Sequence, residues 1–421
     1  MLQNLKQQLW KHRSYAYFTG FRYLEFGLLS LCFFFVAHRS GPEEYGNAAR
    51  SFLTITYSAF FVLGVNQLMV KKFAIYEEEW QKSYISTYNL LYNMAFAAVG
   101  FGLTLLLIDQ EYKYYVACIV ALKLVVESFV SLKRVYQEKL QINLIYLTNA
   151  SLLTALYFGT QGATVHDFFK YWAIGLSLSV LTGVMLTLKY DLWKNLFKVS
   201  FYRFVSANLI DFLKNGATLA IISAFTPLIG TSDKYFLSYS SFDKELLGNM
   251  QLADNVAAVV AMGLGPVAFI ITPILIGKLS KGQLSVKHFY TQGYKVYTLI
   301  ILGFCGLLLL TSPVLLSLFS DFDQLLFPLA VYLITRSIVA ALFMGSVVSM
   351  AFSKEYLYLK QILIVVVGYL LLQWGAFLLV DEKHQLFYLL PVAGLVAAVL
   401  MHVMIYRSYR VNDVFEKKEV V

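Results

Sequence analysis

Apolar residues are arranged along this chain in long runs, and short polar segments separate the runs. A helix that crosses a membrane needs roughly 20 mainly apolar residues. Twelve segments have about this length and composition: 17–37, 51–70, 87–108, 114–132, 143–159, 171–189, 216–232, 248–276, 296–319, 325–350, 361–380 and 386–406. The pattern predicts an all-α, polytopic membrane protein of about twelve transmembrane helices.

Composition agrees with this prediction and excludes several kinds of chemistry. Hydrophobic residues make up 59% of the 421 residues and charged residues only 14%, whereas about a quarter of a soluble domain is charged. The three cysteines and six histidines show no metal-ligand or disulfide spacing. No phosphate-binding GxxxxGK[ST] motif is present. We therefore expect no metal, no cofactor and no nucleotide-driven pumping.

The distribution of lysine and arginine predicts the orientation of the chain. With a cytoplasmic N-terminus, the inner segments carry 24 of the 34 basic residues, the outer loops carry 7, and three lie within spans. Cytoplasmic loops are enriched in these residues, so both termini are expected in the cytoplasm. The segment 1–15 is then a basic, amphipathic lead-in. The net charge of +9 fits anionic lipid head groups and gives no reason to expect nucleic-acid binding.

The two halves of the chain are related in sequence. An acidic residue, two further residues and then Gly46-Asn47 stand at the start of the second predicted span, and the same pattern with Gly248-Asn249 stands at the start of the eighth. Repeated bundles are a common transporter plan. We predict two six-helix bundles around a central cavity, at 1–190 and 216–421. Between them, 191–215 is predicted to be a cytoplasmic linker with an amphipathic helix on the membrane surface.

Several charged residues interrupt the apolar runs. Each costs about 2.5–3.5 kcal/mol at the bilayer centre on insertion scales, so each needs a partner or water. They are Arg22, Glu25, Lys123, Glu127, Asp254 and Arg336. Arg22 lies close enough to the cytoplasm to extend its side chain there. The spacing of Lys123 and Glu127 also fits a structural ion pair. Arg336 has no acidic residue within a turn, so its partner is distant or its helix face is wet.

Three segments of the chain resemble a known family. GPEEYGNAA (41–49) and LGVNQLMVKKF (63–73) resemble the opening of bacterial polysaccharide-unit flippases, and the segment 213–256 resembles the seventh and eighth spans of that family. In the segment 213–256, Asp233-Lys234 occupies the position of the family's Asp-Arg or Asp-Lys pair. Gly248-Asn249 departs from the family's commoner Gly-Tyr. The family is the Wzx-type branch of the multidrug/oligosaccharidyl-lipid/polysaccharide exporter superfamily.

The resemblance implies a substrate and a site. The protein would turn a polyprenyl-diphosphate-linked oligosaccharide from the inner to the outer leaflet of the bacterial inner membrane by alternating access, for O-antigen or capsule assembly. Arg22, Arg50, Lys123 and Arg336 would line a basic cavity for the diphosphate, although Arg50 also fits a solvated loop residue. Glu25, Glu127, Asp233, Lys234 and Asp254 would form ion pairs or couple transport to an ion.

Two other functions fit part of the same pattern. A drug or organic-cation antiporter of this superfamily would have a more acidic, aromatic cavity, and the spans carry as many bases as acids. A membrane-embedded glycan polymerase or acyltransferase would need a larger outer loop than any in this chain. The expected partners of a flippase are the lipid-linked saccharide, membrane lipids, and glycan polymerase and chain-length proteins.

Overall fold

The computed structural model of the protein describes residues 13–62, 64–352 and 354–411. All regular secondary structure in these ranges is helical, which confirms the predicted fold class. The first part of the chain forms α1 (Arg13–Tyr57), α2 (Val65–Ile75), α3 (Glu79–Leu107), α4 (Lys113–Val135), α5 (Lys139–Gly159), α6 (Val165–Thr187) and α7 (Leu192–Asn195). The predicted N-terminal lead-in lies largely outside the described residues.

The second part of the chain continues the all-helical pattern. It forms α8 (Val199–Leu228), α9 (Ser232–Ser238), α10 (Lys244–Ser280), α11 (Val286–Leu318), α12 (Leu326–Ala341), α13 (Phe343–Ala351), α14 (Glu355–Leu379) and α15 (Leu386–Val411). Among the described residues, eight helices are long and apolar enough to cross a membrane. Of the four predicted spans outside those eight, 51–70 is divided between α1 and α2, and the other three lie mainly in α8, α10 and α11.

The helices form two compact units. Of the described residues, those up to Arg39 and Ser51–Ala224 belong to unit 1, whereas Ser40–Arg50 and those from Phe225 onward belong to unit 2. In unit 1, α3 packs on α4, α5 packs on α6, and α4 packs on α6. In unit 2, α10 packs on α12, and α15 packs on both α12 and α14.

The residues 38–50, between the first two predicted spans, are helical, whereas the span pattern implied an outer loop there. Helix α1 continues through them and is interrupted only at Gly41, whose φ of 70° and ψ of 174° lie outside the helical region. Gly41 precedes Pro42, and the residue before a proline is disfavoured in the α conformation. Pro42 itself is tolerated in the first turn of the helical stretch that follows, and good helix formers such as Glu44 and Ala48 continue it.

The segment 191–215 is not a separate linker. Most of it forms α7 and the first half of α8, and it belongs to unit 1. Its apolar side chains Leu192, Phe201 and Phe212 are buried, the Tyr84 and Ser200 hydroxyls are 2.6 Å apart, and Lys72 Nζ is 2.5 Å from Asp211 Oδ2. The amphipathic pattern was identified correctly, but its apolar face covers α3 rather than lipid. Other apolar side chains of the segment are exposed, among them Phe197 at 89% and Ile210 at 82%.

The second predicted span is broken in its middle. Helix α1 ends at Tyr57, a short 3-10 turn follows, and α2 begins after Gly64. Gly64 has a φ of 68°, and a Cβ atom on it would lie 2.3 Å from the Gly216 carbonyl oxygen. Only glycine combines this left-handed conformation with so close an approach between backbones.

Replacing Gly64 with alanine is expected to destabilise the protein by about 1–3 kcal/mol, because the new methyl group overpacks against α8. Thermal unfolding of the purified protein in detergent measures the effect. Gly102→Ala is the matched control, since a Cβ there meets nothing within 4 Å. Equal unfolding temperatures for the two variants would contradict this account of the break.

A cluster of charges closes the turn between α4 and α5. Lys133 Nζ donates to Glu138 Oε2 at 2.9 Å and to the Leu186 carbonyl at 2.7 Å, and Lys189 contacts the other oxygen of Glu138. Partial burial raises the pKa of Glu138, but the hydrogen bonds from Lys189 and Lys133 outweigh it and lower this pKa below its usual value. The cluster therefore ties the turn to the end of α6.

The Glu138 cluster is expected to stabilise the protein at neutral pH and to fail in acid. A depressed folded-state pKa adds stability above the unfolded pKa of about 4.3 that is lost as pH falls through the folded value. Glu138→Gln should lower the unfolding temperature at pH 7, and its difference from the parent should shrink towards pH 3. The exposed Glu44→Gln is the control, and a difference that does not change with pH would refute the assignment.

Candidate functional site

The charged residues within the spans form one cluster in each unit. In unit 1 the cluster joins α1, α4 and α5 through the side chains of Arg22, Glu25, Lys123, Glu127 and Tyr146. In unit 2 it joins α9, α10 and α12. Charges inside a membrane protein are expected to pair or to face water, and both clusters follow this rule in different ways.

Lys123 closes the broken end of α1. Its Nζ atom donates to the Ile55 carbonyl oxygen at 3.0 Å, and Ser58 Oγ donates to the same oxygen at 2.6 Å. A helix end leaves carbonyl groups without intrahelical partners, and in a bilayer each needs a replacement. Lys123 supplies one from the neighbouring helix. Among the described contacts of Lys123 no ion pair with Glu127 is formed, so the predicted direct pair is wrong.

A polar cavity lies beside this break. Its volume is about 250 Å³. It is lined by Ser58, Val62, Asn66, Gln67, Lys123, Leu124, Glu127, Ser131 and Arg134. Two of the lining side chains are basic and one is acidic, so the cavity has an excess of positive charge. Arg134 is a lining residue that the sequence analysis did not select, because it lies beyond the predicted fourth span and was counted among the inner-loop cations.

Arg22 is paired on several sides. One of its guanidinium nitrogens lies 2.8 Å from Glu25 Oε2, and its Cζ atom lies 3.9 Å from the centroid of the Tyr146 ring and 4.6 Å from that of Phe26. The Tyr146 hydroxyl donates to Glu127 Oε1 at 3.0 Å. Tyr146 therefore links the predicted Arg22–Glu25 pair to Glu127. Nothing in the sequence distinguished it among thirty tyrosines.

Amide side chains extend the polar cluster from the cavity into α3. Asn93 Nδ2 donates to Asn66 Oδ1 at 3.0 Å and to the Asn89 carbonyl at 2.8 Å. All of these groups lie among apolar neighbours, where an unpaired amide is costly. The bond from Asn93 to Asn66 is the interhelical contact expected of polar residues in membrane helices.

The cluster in unit 2 is a neutral ion network. Arg336 binds Asp254 through both carboxylate oxygens at 2.8 Å, and Lys234 Nζ lies 3.1 Å from Asp254 Oδ2. Lys234 also donates to the Gly230 carbonyl at 2.8 Å, and the Tyr332 hydroxyl donates to Asp233 Oδ2 at 2.5 Å. Two acids and two bases are thereby balanced within one buried group.

This geometry changes the interpretation of Arg336. The sequence offered either a distant partner or a wet helix face, and Asp254, on a different helix, is that partner. A two-point interaction of this kind is strong and directional. Arg336 is therefore held by protein groups rather than presented as an isolated cation. Asp233 and Lys234 were predicted from the resemblance alone, and the structure places both in the same network as Asp254.

Arg50 belongs to unit 2 and contacts α9. It is in the helical stretch Ser40–Arg50 of unit 2, where its Nη2 atom donates to the Ser238 carbonyl at 2.8 Å. Its Cζ atom lies 3.9 Å from the centroid of the Tyr239 ring. Arg50 thus anchors the helical stretch to α9 and is not brought into the polar cavity of unit 1.

Metal binding receives no support from the described part of the chain. No group of three or more histidine, cysteine, aspartate or glutamate side chains is arranged there to hold an ion. What the two clusters offer chemically is charge pairing and hydrogen bonding, which suit the binding of a polar group and do not suggest bond cleavage.

Comparison with known proteins shows similarity at the level of the fold. No family model and no curated protein matches the sequence. Among solved structures, a multidrug resistance MATE family transporter of the MOP superfamily aligns in its outward-facing conformation with a TM-score of 0.66, at 11% identity over 96% of this chain and 97% of that one. Its inward-facing conformation gives 0.66 at 12% identity, over 96% of each chain.

A third solved structure is that of a eukaryotic protein. The eukaryotic MATE transporter AtDTX14 aligns with a TM-score of 0.65 at 13% identity, over 97% of this chain and 98% of that one. The chain has the MATE transporter fold. Because the similarity extends over nearly the whole length, it accounts for the all-helical architecture of about twelve helices. At these identities it carries no information about the substrate.

Removing the Asp254 carboxylate is expected to destabilise the protein by about 3–5 kcal/mol, because it leaves Arg336 and Lys234 without their acidic partner. The yield of folded protein from membranes and its unfolding temperature in detergent measure the effect of Asp254→Asn. The exposed Asp321→Asn serves as the control. An Asp254→Asn protein as stable as this control would show that the network is not a stabilising unit.

Proposed function

We propose that this chain is a membrane transporter that moves an amphiphile with an anionic head group across the bilayer by alternating access. The observation that carries the proposal is the cavity in unit 1, where Lys123 and Arg134 outnumber Glu127. The resemblance to polysaccharide-unit flippases supplies the specific substrate, a polyprenyl-diphosphate-linked oligosaccharide. The fold supports the general class of membrane transporter. The substrate has to be inferred from the residues of the site.

The physical problem of such a transporter is the passage of phosphate charge through about 30 Å of hydrocarbon. Ammonium and guanidinium groups that already face a polar cavity can replace the water around phosphate oxygens with charge-assisted hydrogen bonds. Lys123 is suited to this role because it retains donors beyond the one given to Ile55. Arg134 adds the planar guanidinium group that matches phosphate geometry.

This proposal revises the set of binding residues. Lys123 is kept and Arg134 is added, because both line one cavity. Arg22 and Arg336 are engaged by Glu25 and Asp254, so they would contact substrate only after exchanging these partners. Arg50 is assigned an anchoring role. Glu127 would hold the cavity cations in the absence of substrate.

A drug or organic-cation antiporter is the second candidate, and the structural comparisons support it better than they support the flippase. The matching solved structures are named as multidrug resistance transporters. In this chain Glu127 lines the cavity and the Tyr146 ring adjoins it through a hydrogen bond. An acid and an aromatic ring are the groups that attract an organic cation. An enzymatic role receives no support from these transporter matches.

The cellular setting follows from the same proposal. A flippase for lipid-linked saccharides would work in the bacterial inner membrane with both termini in the cytoplasm. Its product would be used by a glycan polymerase and by chain-length proteins on the outer side. These partners, and the surface polysaccharide itself, are part of the proposal.

The decisive experiment uses a strain in which the gene is deleted. Polyprenyl-linked saccharides are extracted after treatment of intact cells with a membrane-impermeant reagent that modifies glycans. Complete units that escape modification, together with loss of surface polymer, support the flippase. Normal modification and intact polymer, combined with lost efflux of a cationic dye, would instead support the antiporter.

Charge removal in the cavity should separate the two candidates at the level of residues. Arg134→Gln is expected to reduce flipping by about tenfold or more, since a hydrogen bond to a charged group contributes about 1.5–3 kcal/mol. Glu127→Gln should impair cation efflux instead. The exposed Lys214→Gln is the control for charge alone, and unchanged flipping in Arg134→Gln would contradict the anionic-substrate proposal.

A further inference from the structure

A series of hydrogen bonds fixes the orientation of one side chain in the polar cavity of unit 1. Asn66 of α2 lines this cavity, and its Oδ1 atom accepts a hydrogen bond of 3.0 Å from Asn93 Nδ2 of α3. Asn66 is partly exposed, whereas Asn93 is fully buried. The cavity therefore meets the carboxamide of Asn66, and Asn93 holds that carboxamide from within the protein.

The direction of this hydrogen bond follows from the backbone of α3. Asn93 Nδ2 also donates to the carbonyl oxygen of Asn89, one helical turn earlier, at 2.8 Å. A backbone carbonyl is only an acceptor, so the nitrogen of the Asn93 side chain has to face it. The second N–H of the same nitrogen then reaches Asn66 Oδ1. The two ends of an asparagine carboxamide have nearly the same shape, and here the backbone carbonyl determines which end of Asn66 is bound.

The nitrogen of Asn66 is the end of the carboxamide that remains available. Among the described residues, the one side-chain hydrogen bond of Asn66 is the bond that its Oδ1 accepts from Asn93. Its Nδ2 atom carries two N–H donors. Lys123 and Arg134 line the same cavity, and both side chains are donors without an acceptor atom. The cavity therefore combines an oriented neutral donor with its two cations.

Asparagine at position 93 is unfavourable for packing alone. Asn93 Oδ1 is buried and has no hydrogen-bond partner among the described residues, and an unsatisfied buried acceptor destabilises a protein. Leucine, which is similar in size, would fill the position without burying a polar group. An unsatisfied polar group that a protein retains needs an explanation, and the orientation of Asn66 is the explanation that these contacts offer.

We propose that Asn66 donates a hydrogen bond to an oxyanion oxygen of the transported head group, and that Asn93 is a positioning residue that presents Asn66 as a donor. The inference rests on the proposed function and deepens it. A fixed N–H group stabilises an acceptor atom, whereas a quaternary ammonium head group has no acceptor to offer it. Asn66 and Asn93 therefore favour the anionic substrate over the organic cation, which is how a site gains specificity between two partners.

Two amphiphiles with the same tail and opposite head groups test the donor role of Asn66. Dodecyl phosphate offers oxyanion oxygens, and dodecyltrimethylammonium offers a cation without a hydrogen-bonding atom. Isothermal titration calorimetry measures both dissociation constants on the full-length protein in nanodiscs, with empty nanodiscs as the blank. Asn66→Leu is expected to weaken binding of dodecyl phosphate about tenfold, the effect of losing one hydrogen bond to a charged group. Binding of dodecyltrimethylammonium should not weaken.

A double-mutant cycle tests whether Asn93 acts through Asn66. Asn93→Leu should weaken binding of dodecyl phosphate by about twofold to tenfold, between two equally populated orientations of Asn66 and complete loss of the donor. In the Asn66→Leu background, the same substitution should have no further effect. Asn208→Leu in α8 is the matched control, because Asn208 Nδ2 also donates to a carbonyl one turn earlier, that of Phe204, at 2.9 Å. Asn208 is not among the residues that line the cavity.

A second substitution at position 66 keeps the test valid if leucine prevents folding. Asn66→Asp retains the shape of the side chain and replaces the donor with an acceptor, so the preference should shift from dodecyl phosphate towards dodecyltrimethylammonium. The unfolding temperature in detergent identifies variants that do not fold. An unchanged preference in the folded Asn66→Asp protein would overturn the proposal.

The remaining outcomes separate this inference from the proposed function. Unchanged binding of dodecyl phosphate in Asn66→Leu, or an equal loss for both amphiphiles, would overturn the donor role. An effect of Asn93→Leu that persists in the Asn66→Leu background would overturn the positioning role. Arg134→Gln in the same assay reports on the proposed function. If it weakens binding of dodecyl phosphate while Asn66→Leu does not, this inference alone fails, and if neither variant weakens binding, both fail.

Discussion

Every backbone carbonyl and every charge inside a hydrocarbon layer must find a partner within the protein, because no water is present to serve. Two places among the described residues are arranged around that requirement. Where α1 ends at mid-span, Lys123 and Ser58 serve the exposed Ile55 carbonyl. Where Asp254 enters the membrane, Arg336 and Lys234 neutralise it. Only the hydrogen-bonding and charged groups that these structural contacts leave available can serve a function.

The two units satisfy their buried charges in different ways. The network in unit 2 balances its charges completely, so it provides rigidity and a fixed relation among α9, α10 and α12. The cluster in unit 1 leaves cationic groups directed at a cavity of about 250 Å³.

Periodic and compositional signals predicted the helices well, and the limits of prediction have physical causes. Span-length apolar runs located the helices because hydrocarbon thickness fixes their length. The loop expected at 38–50 failed because a polar, acidic stretch such as PEEYGNAAR is an excellent helix when other helices cover it. The pairing of Arg336 with Asp254 spans 82 positions, and no local pattern encodes such a contact. Tyr146 was missed for the same reason, since its role comes from Glu127 on another helix, whereas Arg134 was missed because it lies beyond the predicted fourth span.

The repeated Gly-Asn pair indicates more about the structure than a two-residue match would suggest. Gly46-Asn47 and Gly248-Asn249 were evidence of duplication, and the structure adds that the duplicated residues touch. A side chain at either glycine would meet backbone of the other segment.

The insertion of Ser40–Arg50 among helices encoded two hundred positions later also has a consequence for biogenesis. Ribosomes add about 5–20 residues per second, so this stretch leaves the translation machinery roughly 10–40 s before Lys244 and Asn255 exist to receive it. During that interval Tyr45 and Arg50 have no native surroundings and depend on lipid, water or a chaperone. The nascent first half is therefore an incomplete folding unit, and the order of synthesis makes its final closure a late, post-insertional event.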